Sequence, residues 1–262
     1  MSRQLENKVA VVTGGGRGIG RGVAIFLAQQ GANLVVADPG SDLDGSGTSN
    51  SVADSVVKEI QEQGGNAVSA YESVATMSGG EAIINKAVDT FGKLDIVVTC
   101  AGVLRDRMIF NMTEEEWDSV IAVHLKGTFT IVKHAAILFR QQRSGRIITF
   151  SSTSGLIGNT GQANYGAAKD GVAGLTRVVA RDLGRYGVTC NSIAPSANTR
   201  MIAAIPESAQ QAKAGAGIAS TGGGDLRGDA DDIAPFATWL ASDQAHNVNG
   251  HVFYVTAGLV SQ

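Results

Sequence analysis

Tyr165 and Lys169 lie four residues apart in a stretch, Gln162 to Tyr186, that patterns as a helix. That spacing puts both side chains on one helix face, a pairing suited to proton transfer. A free phenol titrates near pH ~10, too high for efficient exchange at neutral pH, and a neighbouring ammonium stabilises the phenolate and lowers that value. Ser152, 13 residues before the tyrosine, closes an apolar run. Its hydroxyl can hydrogen-bond a substrate oxygen as charge develops there. Alone, the pair also fits an interfacial tyrosine beside a surface lysine, so its meaning depends on what the rest of the chain supplies.

The run Thr13-Gly14-Gly15-Gly16-Arg17-Gly18-Ile19-Gly20 joins a strand to a helix. Glycines permit the tight turn and let the backbone approach a pyrophosphate, and the helix N-terminus offers N–H groups to the same anion. Asp38 follows Gly18 by 20 residues at the end of a second strand. A carboxylate there accepts hydrogen bonds from ribose hydroxyls and repels a 2′-phosphate, which favours NAD over NADP. Arg17 argues the other way, since a guanidinium beside the loop can bind that phosphate. Asp38-Pro39-Gly40 also reads as a turn.

The elements that must hold these groups alternate. Buried strands are expected at Lys8 to Thr13, Asn33 to Asp38, Ala67 to Tyr71, Leu94 to Thr99, Arg146 to Phe150, Val188 to Ile193 and His251 to Val255. Helices are expected at Gly18 to Gln30, Ser51 to Gln63, a segment ending at Phe91, Glu115 to Gln142, Gln162 to Tyr186 and Asp229 to Ala241. Continuous apolar strands alternating with helices imply a doubly wound (Rossmann) α/β fold, a parallel seven-stranded sheet in a single domain over 1–262. Two segments are irregular. Gly40 to Asn50 is a glycine-rich insert after strand two, and Ser196 to Gly228 lies beyond the end of strand six, where a substrate loop is expected.

A net charge of −3 argues against a nucleic-acid partner. Cys100 and Cys190 each sit in apolar runs, which fits free thiols in the cytoplasm. The N-terminal residues do not pattern as a signal peptide, and no stretch is expected to reach the apolar length that a membrane span needs. His124 has no second His or Cys at a ligand spacing, so no metal site is expected.

Taken together in order, Thr13-Gly14-x-x-x-Gly18-x-Gly20, Ala101-Gly102, Ser152, Tyr165-x-x-x-Lys169, Asn191-x-Ile193-x-Pro195 and Gly250 resemble the short-chain dehydrogenase/reductase family over nearly the whole chain. The resemblance implies that Tyr165 is the general acid/base and that Lys169 holds the nicotinamide ribose and tunes Tyr165. It implies that Ser152 polarises the reacting carbonyl or hydroxyl while NAD exchanges hydride. Gly102 to Arg107, Gly158 to Tyr165, Cys190 to Pro195 and the insert after Asp38 are similar to the (3R)-hydroxyacyl-CoA dehydrogenase domains of type 2 peroxisomal multifunctional enzymes. That likeness implies a small-molecule substrate of the acyl-CoA type. It also implies cofactor contacts at Ser73, Val74, Cys100, Ala101, Gly102, Pro195 and Ala197 to Thr199.

Arg105 and Arg107 then fit a phosphate-bearing substrate, or surface pairing with Asp106 or a neighbouring subunit. The family also implies a homotetramer, with the long helices after strands four and five forming the subunit contacts. The small residues Gly166, Ala167, Ala168, Gly171, Ala173 and Gly174 permit close helix approach between subunits, or packing within one.

Two positions depart from the family pattern. Thr99-Cys100 stands where Asn-Asn is usual, and His124 stands where a catalytic Asn is usual, 28 residues before Ser152. Cys100 is expected to be a packed strand-end residue, because a thiol cannot replace an amide's hydrogen bonds. A general secondary-alcohol or steroid dehydrogenase is the alternative within the family. An inactive cofactor-binding partner subunit is the alternative outside it.

Overall fold

In the computed structural model, residues 3–198 and 228–262 are described. Strand β1 (Val9–Thr13) is buried along its whole length. Its β-branched residues suit a pleat covered on both sides. Side chains alternate across it: Ala10 and Val12 join one apolar cluster, while Val9 and Val11 join another on the opposite face. β2 (Asn33–Ala37), β3 (Asn66–Ala70), β4 (Ile96–Thr99), β5 (Gly145–Phe150), β6 (Val188–Asn198) and β8 (Val252–Thr256) complete a parallel set. The strand order is β3-β2-β1-β4-β5-β6-β8.

Helices α1 (Gly18–Gln29), α2 (Ser51–Glu62) and α8 (Ala234–Ala241) cover the first face through Val23, Leu27, Val56, Ile60 and Leu240. Helices α3 (Met77–Phe91), α5 (Gly127–Gln142) and α7 (Ala163–Gly184) cover the second through Ile83, Ile131, Phe139, Val179 and Leu183. Each such side chain contributes about 1.5–3 kcal/mol on full burial. Local signals stop and start these helices. Thr76 accepts from the Gly79 N–H at the head of α3, and Gly92, at φ 79°, ends it in the left-handed region.

All seven expected strands are present and parallel. Two short ones join them among the described residues. β7 (Gly228–Asp229) pairs with the end of β6, which runs further than its apolar core suggested, and β9 (Leu259–Ser261) pairs antiparallel with β8. The helix expected from Glu115 is α4 (Glu114–Ile121), capped reciprocally by Thr113 and Glu116, then a π turn at Ala122–Lys126, then α5. This continuous helix, Glu114–Gln142, is long and apolar enough by length and composition to cross a bilayer, which corrects the expectation that no stretch reaches that length. Its apolar side, including Ile131, Ala135 and Phe139, packs on the sheet as a core helix does. The last helix begins as a 3-10 turn, Ala230–Ile233, because Pro235 in the first turn of α8 has no N–H to continue a longer helix backwards. The expected substrate loop lies outside the described residues except at Ser196 to Asn198 and Gly228, and Thr199 lies outside them as well.

Candidate active site

A cavity of about 360 Å³ opens at the carboxyl ends of the strands, on both sides of the junction where the order turns from β1 to β4. Ligands of open α/β sheets bind in that crevice. The glycine loop forms its floor. Gly14 has φ 63°, and a Cβ there would come within 2.7 Å of the Ala101 backbone. A Cβ on Gly20 would collide with the Gly14 carbonyl. The turn is therefore open only to glycine at both points. α1 has no side-chain cap at Arg17, which leaves its first N–H groups facing the cavity mouth.

Asp38 lies beside the loop. Its Oδ2 accepts from the Gly16 N–H at 3.0 Å and its Oδ1 from the Gly40 N–H at 2.8 Å. The Arg17 guanidinium turns instead to the Ser41 carbonyl, at 2.9 Å. Gly18, Ile19, Ser73, Val74, Cys100, Ala101, Gly102, Pro195 and Ala197 line the same cavity. Every described member of the expected cofactor set thus comes together except Asn198 and the buried Lys169, which are not part of the lining.

Ser152, Tyr165 and Lys169 converge at the inner end. Ser152 is held at the tip of β5, its hydroxyl accepting from the Ser154 N–H at 3.1 Å, and it lines the cavity together with Tyr165. Lys169 is buried. Its Nζ donates to the Phe150 carbonyl at 2.7 Å and stands 5.7 Å from the centre of the Tyr165 ring. Burial pushes the Tyr165 phenol up to about 12, against the pull of the Ser152 hydroxyl, and the Asp106 carboxylate pushes it further. The spacing had suggested a phenol lowered by its lysine. The net direction is the reverse, because burial penalises the charged phenolate more than its neighbours favour it. Burial also brings the Lys169 ammonium down to about 8, with Cys100 pulling it back up.

His124 occupies the π turn. Its Nε2 lies 2.7 Å from the Val103 carbonyl and 3.0 Å from the Val103 N–H. Each neutral tautomer can therefore bond one of the two. Its Nδ1 is buried without a hydrogen-bond partner. Burial, then the charge of Lys169, brings its pKa down to about 3. The ring meets Tyr165 edge-on at 5.0 Å, and Gly102 must be glycine because a Cβ there would collide with the imidazole. Cys100 is a packed strand-end thiol, pushed up to about 12 by burial.

Arg105 and Arg107 do not pair with Asp106. Arg107 bonds Glu116 at 2.7 Å, Arg105 reaches Glu115 at 3.7 Å, and Asp106 accepts from Gln162 at 2.8 Å. The capping carboxylates of α4 take the guanidinium groups because they are the nearest anions on the adjoining helix. Asn164 carries a role that its sequence position did not reveal. Its amide donates to the carbonyls of Arg105 and Glu116, and its oxygen accepts from the Tyr165 N–H. Its position immediately before the tyrosine was the one available signal.

These residues fit a nicotinamide dinucleotide. The loop is a cradle that side chains would fill, the helix N–H groups suit a pyrophosphate, Asp38 suits a ribose, and Phe150 occupies only one of the three donors of Lys169.

Known proteins give the same answer. The family model described as enoyl-(acyl carrier protein) reductase matches residues 14–260. The mouse peroxisomal multifunctional enzyme type 2 is 39% identical over 260 residues, which cover 99% of this chain and 33% of that protein. The chain therefore spans about a third of that relative. The hydroxyacyl-CoA dehydrogenase ChsB1 of Mycobacterium tuberculosis is 41% identical over 264 residues, covering 96% of this chain and 78% of the relative. The crystal structure of a short chain dehydrogenase from Mycobacterium avium superposes with a TM-score of 0.83 at 43% identity, covering 98% of this chain and 85% of that one. On the sheet order, the glycine cradle and these matches, the chain belongs to the short-chain dehydrogenase/reductase family and is an oxidoreductase that uses a nicotinamide cofactor.

Proposed function

We propose that this protein interconverts a secondary alcohol and a ketone with NAD, on 3-hydroxyacyl-CoA and 3-ketoacyl-CoA thioesters. The observation that carries the reading is the meeting of Ser152 and Tyr165 in the lining of the dinucleotide cavity, with buried Lys169 5.7 Å from the centre of the Tyr165 ring. The cofactor, when bound, supplies the hydride acceptor or donor. The Tyr165 hydroxyl gives its proton to the substrate oxygen in reduction and takes it back in oxidation. Ser152 hydrogen-bonds the same oxygen and holds it within reach of the phenol. Lys169 places a cation under the ring, and two of its donors remain for a ribose. Val103, Leu104 and Val123 bring apolar surface to the pocket that holds Tyr165.

The preference for NAD rests on Asp38, held against the glycine loop by two backbone N–H groups. The acyl-CoA class rests on the names of the relatives, hydroxyacyl-CoA dehydrogenase among them. Cytoplasmic location is supported by two free thiols, Cys100 and Cys190. A homotetramer is supported by exposed apolar residues on α5 and α7, the helices expected to meet between subunits.

The test is NADH production from a panel of (3R)-hydroxyacyl-CoA thioesters, simple secondary alcohols and hydroxysteroids. Turnover confined to the thioesters is the expected result. Turnover only on the alcohols or steroids shifts the reading to the general dehydrogenase. Cofactor binding with no turnover on any of them returns the inactive partner subunit.

A further inference from the structure

The insert after β2 closes on itself and on the opposite wall of the cavity. At its neck the Ser49 N–H donates to the Pro39 carbonyl at 2.9 Å, and Gly40, at φ 73°, leaves no room for a side chain against Ser49. Two bonds anchor its far end to the segment after β4. The Leu104 N–H donates to the Leu43 carbonyl at 2.8 Å, and the Arg105 Nε donates to the Asp44 carbonyl at 2.9 Å. A Cβ added to Gly45 would touch Val103 at 3.4 Å. The insert is thus a strap fixed at both ends, and the position of each of its carbonyls follows from those anchors.

One of those carbonyls, on Ser41, holds Arg17. A guanidinium beside a carboxylate ordinarily pairs with it. Here Asp38 accepts from the Gly16 and Gly40 N–H groups, and Arg17 bonds the Ser41 carbonyl instead of the carboxylate. Among the described residues, Arg17 is the only cation lining the cavity. It is therefore the group a 2′-phosphate would need, and a carbonyl dipole already points at it.

We propose that the strap is a second determinant of cofactor choice: by keeping Arg17 on the Ser41 carbonyl, it withholds that cation from a 2′-phosphate. Exclusion of NADP then has two parts, repulsion by Asp38 and sequestration of Arg17. The inference rests on the NAD reading above.

The test measures binding rather than turnover, by titrating the fluorescence of NADH and NADPH. In one variant, residues 41–48 are replaced by Gly-Gly, which the close Pro39–Ser49 neck permits and which leaves Asp38 in place. NADPH should bind on the order of tenfold more tightly than to the unaltered protein, the scale of one charge-assisted hydrogen bond. Arg17→Ala in the shortened chain should abolish that gain, while Arg17→Ala in the full chain should leave NADPH binding within about twofold. Arg105→Ala, which frees the Asp44 anchor at unchanged length, should move NADPH binding in the same direction by less. A gain that survives Arg17→Ala overturns the proposal. So does an unmoved NADPH affinity in Arg105→Ala, even if the shortened chain fails to fold. Tighter binding of NADPH than NADH by the unaltered protein defeats the NAD reading itself. Retained NADH preference with NADPH unmoved in both variants defeats the strap alone.

Discussion

At the scale of single residues, the site is governed by what burial does to charge. Tyr165, pushed up to about 12, is a protonated phenol across the neutral range. It is ready to act as an acid and must lose its proton to act as a base. Ketone reduction should therefore be flat in rate through neutral pH, and alcohol oxidation should rise with pH. Initial rates in both directions from pH 6 to about 10 check this; a rising reduction limb would contradict it. Tyr165→Phe should lower turnover by roughly 10²–10⁴-fold while cofactor binding, read by titration, stays intact.

His124 gives a stability prediction. Its folded pKa of about 3 lies below the ordinary 6.5. The unfolded chain thus takes a proton that the folded protein refuses, and stability falls as pH drops from 6.5 towards 3. His124→Asn should flatten that slope in urea titrations run across the window, whatever it does to stability at neutral pH. Proton-linked roles such as these were only partly legible beforehand. Spacing placed Tyr165 and Lys169 on one face, but it could not say that the lysine would aim at Phe150, because a side chain's hydrogen-bond target depends on a strand 19 residues away.

At the scale of elements, the catalytic helix is tied to its neighbours by Asn164. Replacing it with Leu removes the side-chain donor to the Arg105 carbonyl and leaves the Glu116 carbonyl with Ser119 as its side-chain donor. The cost should be about 2–4 kcal/mol in denaturant unfolding, with turnover falling because Tyr165 loses its backbone anchor. Asn164→Asp should do no better, since a carboxylate offers no donors to those carbonyls.

Strand faces and helix positions were legible because alternation and helical periodicity are local. The π turn at His124 was not, since one extra residue in a turn changes no composition and little periodicity. The insert was visible as a loop, but its bonds to Leu104 and Arg105 join residues 61 apart, which no local pattern records.

At the scale of the molecule, assembly is the open expectation. Phe129 and Ile137 on α5 are each 43% exposed, and Val178 on α7 is 55% exposed, an arrangement that suits contact with another copy. Sedimentation should give a tetramer, and Phe129→Glu combined with Val178→Glu should shift it towards smaller species without unfolding the subunit. A monomer in the unaltered protein would refute the assembly.

The strand order also has a consequence for how the chain acquires its shape. β1 pairs first with β2, and β2 with β3. From then on β4, β5, β6 and β8 each add to the same advancing margin, in the order in which they are synthesised. A nascent chain therefore exposes one growing seam of unpaired N–H and C=O groups, and each new strand covers the one before it. The hairpin turn at Ala257 and Gly258 finally folds the three-residue β9 over the last seam. Growth of this kind leaves β3 as a fixed free edge and moves the other edge strand by strand, so a pause in translation before Gly145 should leave β4 as the newly exposed margin.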